Sequence, residues 1–201
     1  VPDDYRRLVE GWKNDNEPFK TNGAPSAHDE MMIYQTIIGA LPIDILDNED
    51  ERLDAFCERM KAFTIKAIKE GKENTNWINA NEAYEKACGK FIDRLLERNG
   101  ENTFIIDLIK FRKKILPVAL QADVAQTVLQ IGGPGTVDIY QGIEQYLHRQ
   151  SLVDPDNRRP VDFKQTADKI RQWEKTPPDP AQLVKNPRSG DFFLYTLWQT
   201  L

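Results

Sequence analysis

The chain has 201 residues, 40 % of them hydrophobic and 29 % charged, a balance that suits a packed globular domain and is too apolar for a disordered chain. Its 27 Lys and Arg against 32 Asp and Glu leave a formal net charge of −5, without the concentrated positive surface that nucleic acids or an anionic membrane call for. Two cysteines, Cys57 and Cys88, are too few for a disulfide framework and suit a reducing, cytoplasmic setting, and no apolar run approaches the ~20 residues of a membrane span.

Tyr5, Leu8, Val9 and Trp12 fall at i, i+3, i+4 and i+7 and predict a first amphipathic helix. Ser26 with Asp29 makes a capping-box-like start for a second, carrying Tyr34, Ile37, Ile38 and Leu41 and closed by Pro42. Leu53, Phe56, Cys57, Met60, Phe63 and Ala67 form the stripe of a long third helix ending near Gly71. Tyr84, Ala87, Cys88, Phe91, Ile92, Leu95 and Leu96 form a fourth, stopped by Asn99-Gly100. Phe104, Leu108, Phe111 and Ile115 continue the pattern until Pro117, and a further helical stretch runs to about Gln130. These stripes read as core, and the cysteines within them as small buried hydrophobes.

The run Gly132-Gly133-Pro134-Gly135 cannot be helical, and Thr136-Val137-Asp138-Ile139-Tyr140 after it is a short β-favouring segment closed by Gln141-Gly142. A lone strand cannot satisfy its backbone hydrogen bonds, so this one is expected to pair with chain that is not here. The first residue, Val1, and the apolar run Phe192 to Leu201 at the other end carry the same expectation of a piece of something longer. In between, Asp162 caps a helix bearing Phe163, Ala167, Ile170 and Trp173, and Pro177-Pro178-Asp179-Pro180 and Asn186-Pro187 break the chain before the last segment. The expected division is a helical subdomain over 1–131 and a second part over 132–201.

Candidate chemistry is sparse. The only His and Cys residues, His28, His148, Cys57 and Cys88, have no paired ligand spacing, so no metal or other cofactor is expected. The glycine run precedes a strand and lacks a following Lys-Ser/Thr, which argues for a turn and against a phosphate cradle. Asp154, Asp156, Asn157, Arg158 and Arg159 form the densest polar cluster. They either present a directional surface for hydroxyl-rich ligands or neutralise one another in an Asx-turn loop; composition by itself favours the second.

Four stretches together resemble the maltooligosyltrehalose synthases of the α-amylase superfamily. Ser151-Leu152-Val153-Asp154-Pro155-Asp156-Asn157-Arg158-Arg159-Pro160-Val161-Asp162 is similar to that family's Leu-Val-Asp-Pro-Asp-Asn-Arg-Arg-Pro-Val-Asp signature. Pro134-Gly135-Thr136-Val137-Asp138-Ile139-Tyr140-Gln141-Gly142-Ile143-Glu144 resembles its last barrel strand. Asp29-Glu30 through Tyr34-Gln35-Thr36 to Ala40-Leu41-Pro42, and Asn74-Thr75-Asn76-Trp77 with Asn81-Glu82-Ala83-Tyr84-Glu85, resemble two earlier segments. The departures are Val137 for the usual Pro, Gly132-Gly133 for a small polar and apolar pair, and a longer Gln145 to Gln150 segment without the family's Trp-Asp step.

The resemblance implies a mainly α fold: a helical insertion subdomain followed by the last strand and loop of a (β/α)8 barrel, truncated at both ends. It implies a parent enzyme that converts the reducing-end α-1,4 bond of a maltooligosaccharide into an α,α-1,1 bond by intramolecular transglucosylation. The parent's three catalytic carboxylates are expected outside this chain, leaving the fragment inactive by itself. Tyr140, Gln141 and Glu144 would sit at the barrel mouth, and Asp154, Asp156, Asn157, Arg158 and Arg159 would bind sugar. The expected partners are the maltooligosaccharide and the missing barrel of the same chain, with no nucleic acid and no membrane. Two alternatives stand beside this: a fragment of another α-amylase-superfamily glycosidase, and a non-catalytic helical binding or scaffold module.

Overall fold

In the computed structural model, residues 2–42, 45, 50–98, 102–137, 152, 160–186 and 189–201 are described, with the side chains of 50–52 excepted. The described residues are mainly helical and contain no strand; one isolated bridge joins Thr21 and Ala24. Thr136 and Val137 are irregular, and the remainder of the expected strand, Asp138, Ile139 and Tyr140, lies outside the described residues. The chain divides into two compact units, Val1–Lys113 with Ser151–Arg158, and Lys114–Gln150 with Arg159–Leu201.

The first unit begins with α1 (Pro2–Asn16), which places Asp3 and Asp4 at its positive end and buries Val9 and Trp12 as the spacing predicts. A single 3-10 turn, Glu17–Phe19, leads to α2 (Ala27–Ala40). Ser26 caps α2, its Oγ accepting from the Asp29 amide at 3.2 Å. The reciprocal half of the expected capping box is missing, because the Ser26 amide donates instead to the Tyr84 hydroxyl at 2.9 Å. The inward face of α2 is Glu30, Ile33, Tyr34 and Ile37; Ile38, expected there, is only half-buried because the helical period carries the stripe through Ile33.

α3 (Asp50–Gly71) and α4 (Glu82–Leu96) pack along one another. On α3 the stripe runs through Leu53, Phe56 and Met60 to Thr64 and Ile68, with Phe63 and Ala67 at its half-buried margin. On α4 Ala87, Cys88, Phe91, Ile92, Leu95 and Leu96 are all buried. Trp12 meets Phe104 edge-on at 4.7 Å between centroids, and Tyr34 lies 5.5 Å from both rings, so α1, α2 and the start of α5 share one aromatic core.

α5 (Thr103–Gly132) corrects an expectation: Pro117 lies inside one continuous helix and does not end it. A proline there removes one main-chain hydrogen bond and crowds the preceding turn, at a cost of roughly 3 kcal/mol. Flanking Leu116 and Leu120 are buried, and their packing offsets that cost. Replacing Pro117 with Ala should therefore raise stability by about 1–2 kcal/mol, visible as a higher midpoint in thermal unfolding; an unchanged or lower midpoint would contradict the continuous helix. The same helix also qualifies the membrane argument. Its apolar residues are interrupted, yet it is long and apolar enough, by length and composition alone, to cross a bilayer, with 17 % of its most apolar window buried. The helix runs on to Gly132, two residues past the expected end near Gln130, so the first glycine of the run is helical and Gly133 stops it. A Cβ on Gly133 would sit 3.0 Å from the Leu129 carbonyl oxygen, and Gly135 has φ +119°.

In the second unit, Asp162 caps α6 (Phe163–Lys175) by accepting from the Gln165 amide at 3.0 Å. Of the predicted stripe only Trp173 is buried, and Phe163 is 57 % exposed. A first-turn side chain has no preceding turn to lean on, which leaves Phe163 in solvent. The proline-rich break contains a short helix that hydropathy missed, α7 (Pro180–Lys185), with Asp179 as its cap. The terminal apolar run becomes α8 (Asp191–Thr200), which starts from Gly190 in the left-handed conformation. Trp173 packs against Tyr195 and Trp198 at 5.7 and 6.2 Å, and Lys169 pairs with Asp191.

Candidate functional site

None of the eight predicted sugar-binding residues can be placed. Tyr140, Gln141, Glu144, Asp154, Asp156, Asn157, Arg158 and Arg159 all lie outside the described residues. The structure does bring together the other two stretches that carry the resemblance, in a polar network spanning α2, the α3–α4 loop and the start of α4.

Its first node is the Tyr84 hydroxyl. It donates to the Asp29 carboxylate and accepts from Asn74 Nδ2 at 3.1 Å and from the Ser26 amide at 2.9 Å. Asn74 Nδ2 also lies 3.2 Å from Asp29 Oδ2. Burial raises the Tyr84 phenol above its ordinary range, and the Asp29 carboxylate pushes the same way, so it stays a proton donor at any physiological pH. The second node is Glu30, buried on α2, which takes the Tyr34 hydroxyl at 2.8 Å on one oxygen and Lys20 Nζ at 3.0 Å on the other. Asn16 Nδ2 donates to the Tyr34 oxygen at 3.0 Å. Tyr34 has one proton to give, and the Glu30 carboxylate is nearer than the Trp12 carbonyl at 3.3 Å. The third node is Glu85, held by Thr75 Oγ1 at 2.6 Å and Lys69 Nζ at 3.1 Å.

In each node the carboxylate is engaged by neighbouring donors, and the Cys88 thiol lies beside the Asp29–Tyr84 node. The arrangement holds helices and a loop in register. The cysteines are not activated: burial pushes both thiols up to about 12, Asp93 adding to the effect at Cys57 and Asp29 at Cys88. Among the described residues no three His, Cys, Asp or Glu are placed to hold a metal ion. The polar network was partly visible beforehand, since Asp29, Asn74, Asn81, Tyr84 and Glu85 belong to the motif stretches; Lys20 and Asn16 carried no such mark.

No protein-family model matches the sequence. Proteins from two strains of Mycobacterium tuberculosis, assigned as maltooligosyl trehalose synthases, are 32 % identical over 140 residues, or 70 % of this chain. A solved maltooligosyl trehalose synthase superposes over 99 % of the chain with a TM-score of 0.79 and 29 % identity. A hypothetical maltooligosyl trehalose synthase of Sulfolobus tokodaii superposes over 98 % with a TM-score of 0.71 and 31 % identity. The chain is homologous to part of the maltooligosyl trehalose synthases. It spans 17 % of the length of the curated relatives and about a quarter of the solved chains. Agreement over nearly the whole chain means that the helical arrangement described above is a portion of the synthase fold.

Proposed function

We propose that this chain is the part of a maltooligosyl trehalose synthase that walls the active site and holds the sugar released during the reaction, while the catalytic carboxylates lie elsewhere in the parent. The observation that carries this is similarity to the synthases, in sequence over 70 % of the chain and in fold over 99 % of it. The parent then performs retaining glycosidase chemistry: a carboxylate displaces the reducing-end glucose and holds the remaining glucan as a glycosyl ester, while a second carboxyl group protonates the leaving oxygen. The freed glucose turns and attacks with its anomeric hydroxyl, giving the α,α-1,1 bond. Water competes for the same ester, so the enzyme must retain the glucose and keep the site dry.

In this reading residues 1–131 form the helical subdomain and 132–201 contribute the last barrel strand and the loop after it. Tyr140, Gln141 and Glu144 stand at the barrel mouth, where active sites of this architecture lie. Asp154, Asp156, Asn157, Arg158 and Arg159 bind the hydroxyls of the reducing-end glucose, the guanidinium forks fixing its orientation. The work is done in the cytoplasm on maltooligosaccharides, without a cofactor.

A chimera tests it. This chain, substituted for the corresponding quarter of a solved synthase, should give trehalose-terminated product from maltopentaose, whereas the 201 residues alone should leave reducing ends unchanged. Arg158→Ala with Arg159→Ala in the chimera should raise hydrolysis relative to transglucosylation by about tenfold, as a loosened glucose yields to water. An unchanged ratio would remove the loop from the reaction, and an inactive chimera would refute the assignment.

A further inference from the structure

The loop joining α3 to α4, residues 72–81, exposes two large apolar side chains side by side, Trp77 at 60 % and Ile78 at 92 %. The loop itself is closely held. Lys72 turns the chain out of α3 with φ 60°. Thr75 is buried, and its Oγ1 donates to Glu85 and accepts from the Asn81 amide at 2.8 Å. Asn76 Oδ1 accepts from the amides of both Ile78 and Asn79, at 3.0 and 2.7 Å, which fixes the turn that carries the indole. Lys69 Nζ lies 4.9 Å from the Trp77 ring centroid and is itself tethered to Glu85. One side of the indole thus rests on an anchored cation, and the ring is fixed while most of it remains in water.

We propose that Trp77 is a stacking platform for a glucose ring of an α-1,4-glucan. A pyranose offers a face of C–H groups to an aromatic ring and a rim of hydroxyls to neighbouring polar groups. The surroundings of Trp77 match both demands: most of the indole is in water, and the exposed Asn79 side chain two residues on has no hydrogen-bond partner among the described residues, while Asn76 and Asn81 hold the loop and cap α4. A protein-docking anchor would instead need a ring of contacts that excludes water, and here the exposed apolar surface of the loop is Trp77 and Ile78 within an amide-rich stretch. The inference rests on the synthase reading for its choice of glucan.

Affinity electrophoresis of the 201-residue chain through soluble starch, with calorimetric titration of maltohexaose, tests the site. The wild-type chain should be retarded and should bind maltohexaose. Trp77→Ala should weaken both at least ~10-fold, Trp77→Phe should keep part of the effect, and Ile78→Ser should change it little. Circular dichroism of each variant checks folding, which the exposure of both side chains favours. Absence of retardation, equal retardation of Trp77→Ala, or equal binding of a β-1,4-glucan of the same length would overturn the proposal. So would a self-association that is lost in Trp77→Ala while starch has no effect, since the surface would then serve a protein contact. The product of the chimera is a separate readout: an inactive chimera with Trp77-dependent starch binding refutes the synthase reading alone, and an active chimera with no starch binding refutes this one.

Discussion

Lys20→Met should cost the fold about 3–5 kcal/mol, because it leaves the buried Glu30 carboxylate without its cation. Methionine keeps the length and apolar stem of lysine, so the loss measures charge more than packing. Glu30 would retain only the Tyr34 hydroxyl at 2.8 Å, too little to hold a carboxylate out of water. Adding Glu30→Gln to the same chain should recover a large part of the loss, since a neutral amide needs no counter-ion. Urea unfolding of the two single variants and the double variant gives the coupling directly. A loss below about 1 kcal/mol for Lys20→Met would place the pair among ordinary surface ion pairs. Alkaline pH supplies a second check. Burial opposes the charge on Lys20, but the hydrogen bonds it donates to Glu17 and Glu30 outweigh it and raise its pKa above the ordinary 10.5. A group raised in the folded state stabilises fully below its unfolded pKa and loses that contribution as pH climbs through the folded value. The wild-type chain should therefore lose the contribution only above pH 10.5, and Lys20→Met should lack that alkaline limb.

Tyr84→Phe should destabilise by about 2–4 kcal/mol, although it removes a single oxygen. That oxygen is shared by three partners from different parts of the chain: the Asp29 carboxylate, Asn74 Nδ2 and the Ser26 amide. Asn74 keeps its contact with Asp29 at 3.2 Å, but the Ser26 amide loses its acceptor and the Asp29 carboxylate loses its hydroxyl donor. Faster hydrogen exchange at Ser26 should accompany the loss and separate this cause from general loosening. Tyr5→Phe is the control. The Tyr5 hydroxyl meets only the Met31 sulfur, at 3.5 Å, so its removal should change stability by less than ~0.5 kcal/mol. Equal effects of the two substitutions would remove Tyr84 from its organising place.

The aromatic and aliphatic stripes were legible because helical periodicity registers a buried face wherever large apolar residues repeat. Val9 and Trp12 on α1, and Ala87 to Leu96 on α4, lie where their spacing predicts. Periodicity misleads where a residue's local preference and its tertiary setting disagree. Pro117 punctuates a helix in isolation, yet buried Leu116 and Leu120 on either side carry α5 through it. Phe163 has the right spacing for a core stripe and the wrong place in its helix, so it faces water. Thr64, a polar residue, lies at the buried α3–α4 seam that hydropathy assigns to Phe63.

Helical character, most helix ends and the family resemblance are all legible in the amino acids, because caps, periodicity and contiguous motifs are local properties of the chain. What the motif residues do for one another emerges only when the helices pack. Asp29 and Tyr84 are 55 positions apart, and nothing in either neighbourhood announces that one donates a hydrogen bond to the other. Lys20 looks like any surface lysine until α2 sets Glu30 against it. Trp77, which hydropathy would send to the core, remains in water because Asn76 and Thr75 hold its loop outward. Long-range hydrogen bonds and burial depend on which helices meet, and that is settled by packing the whole core at once.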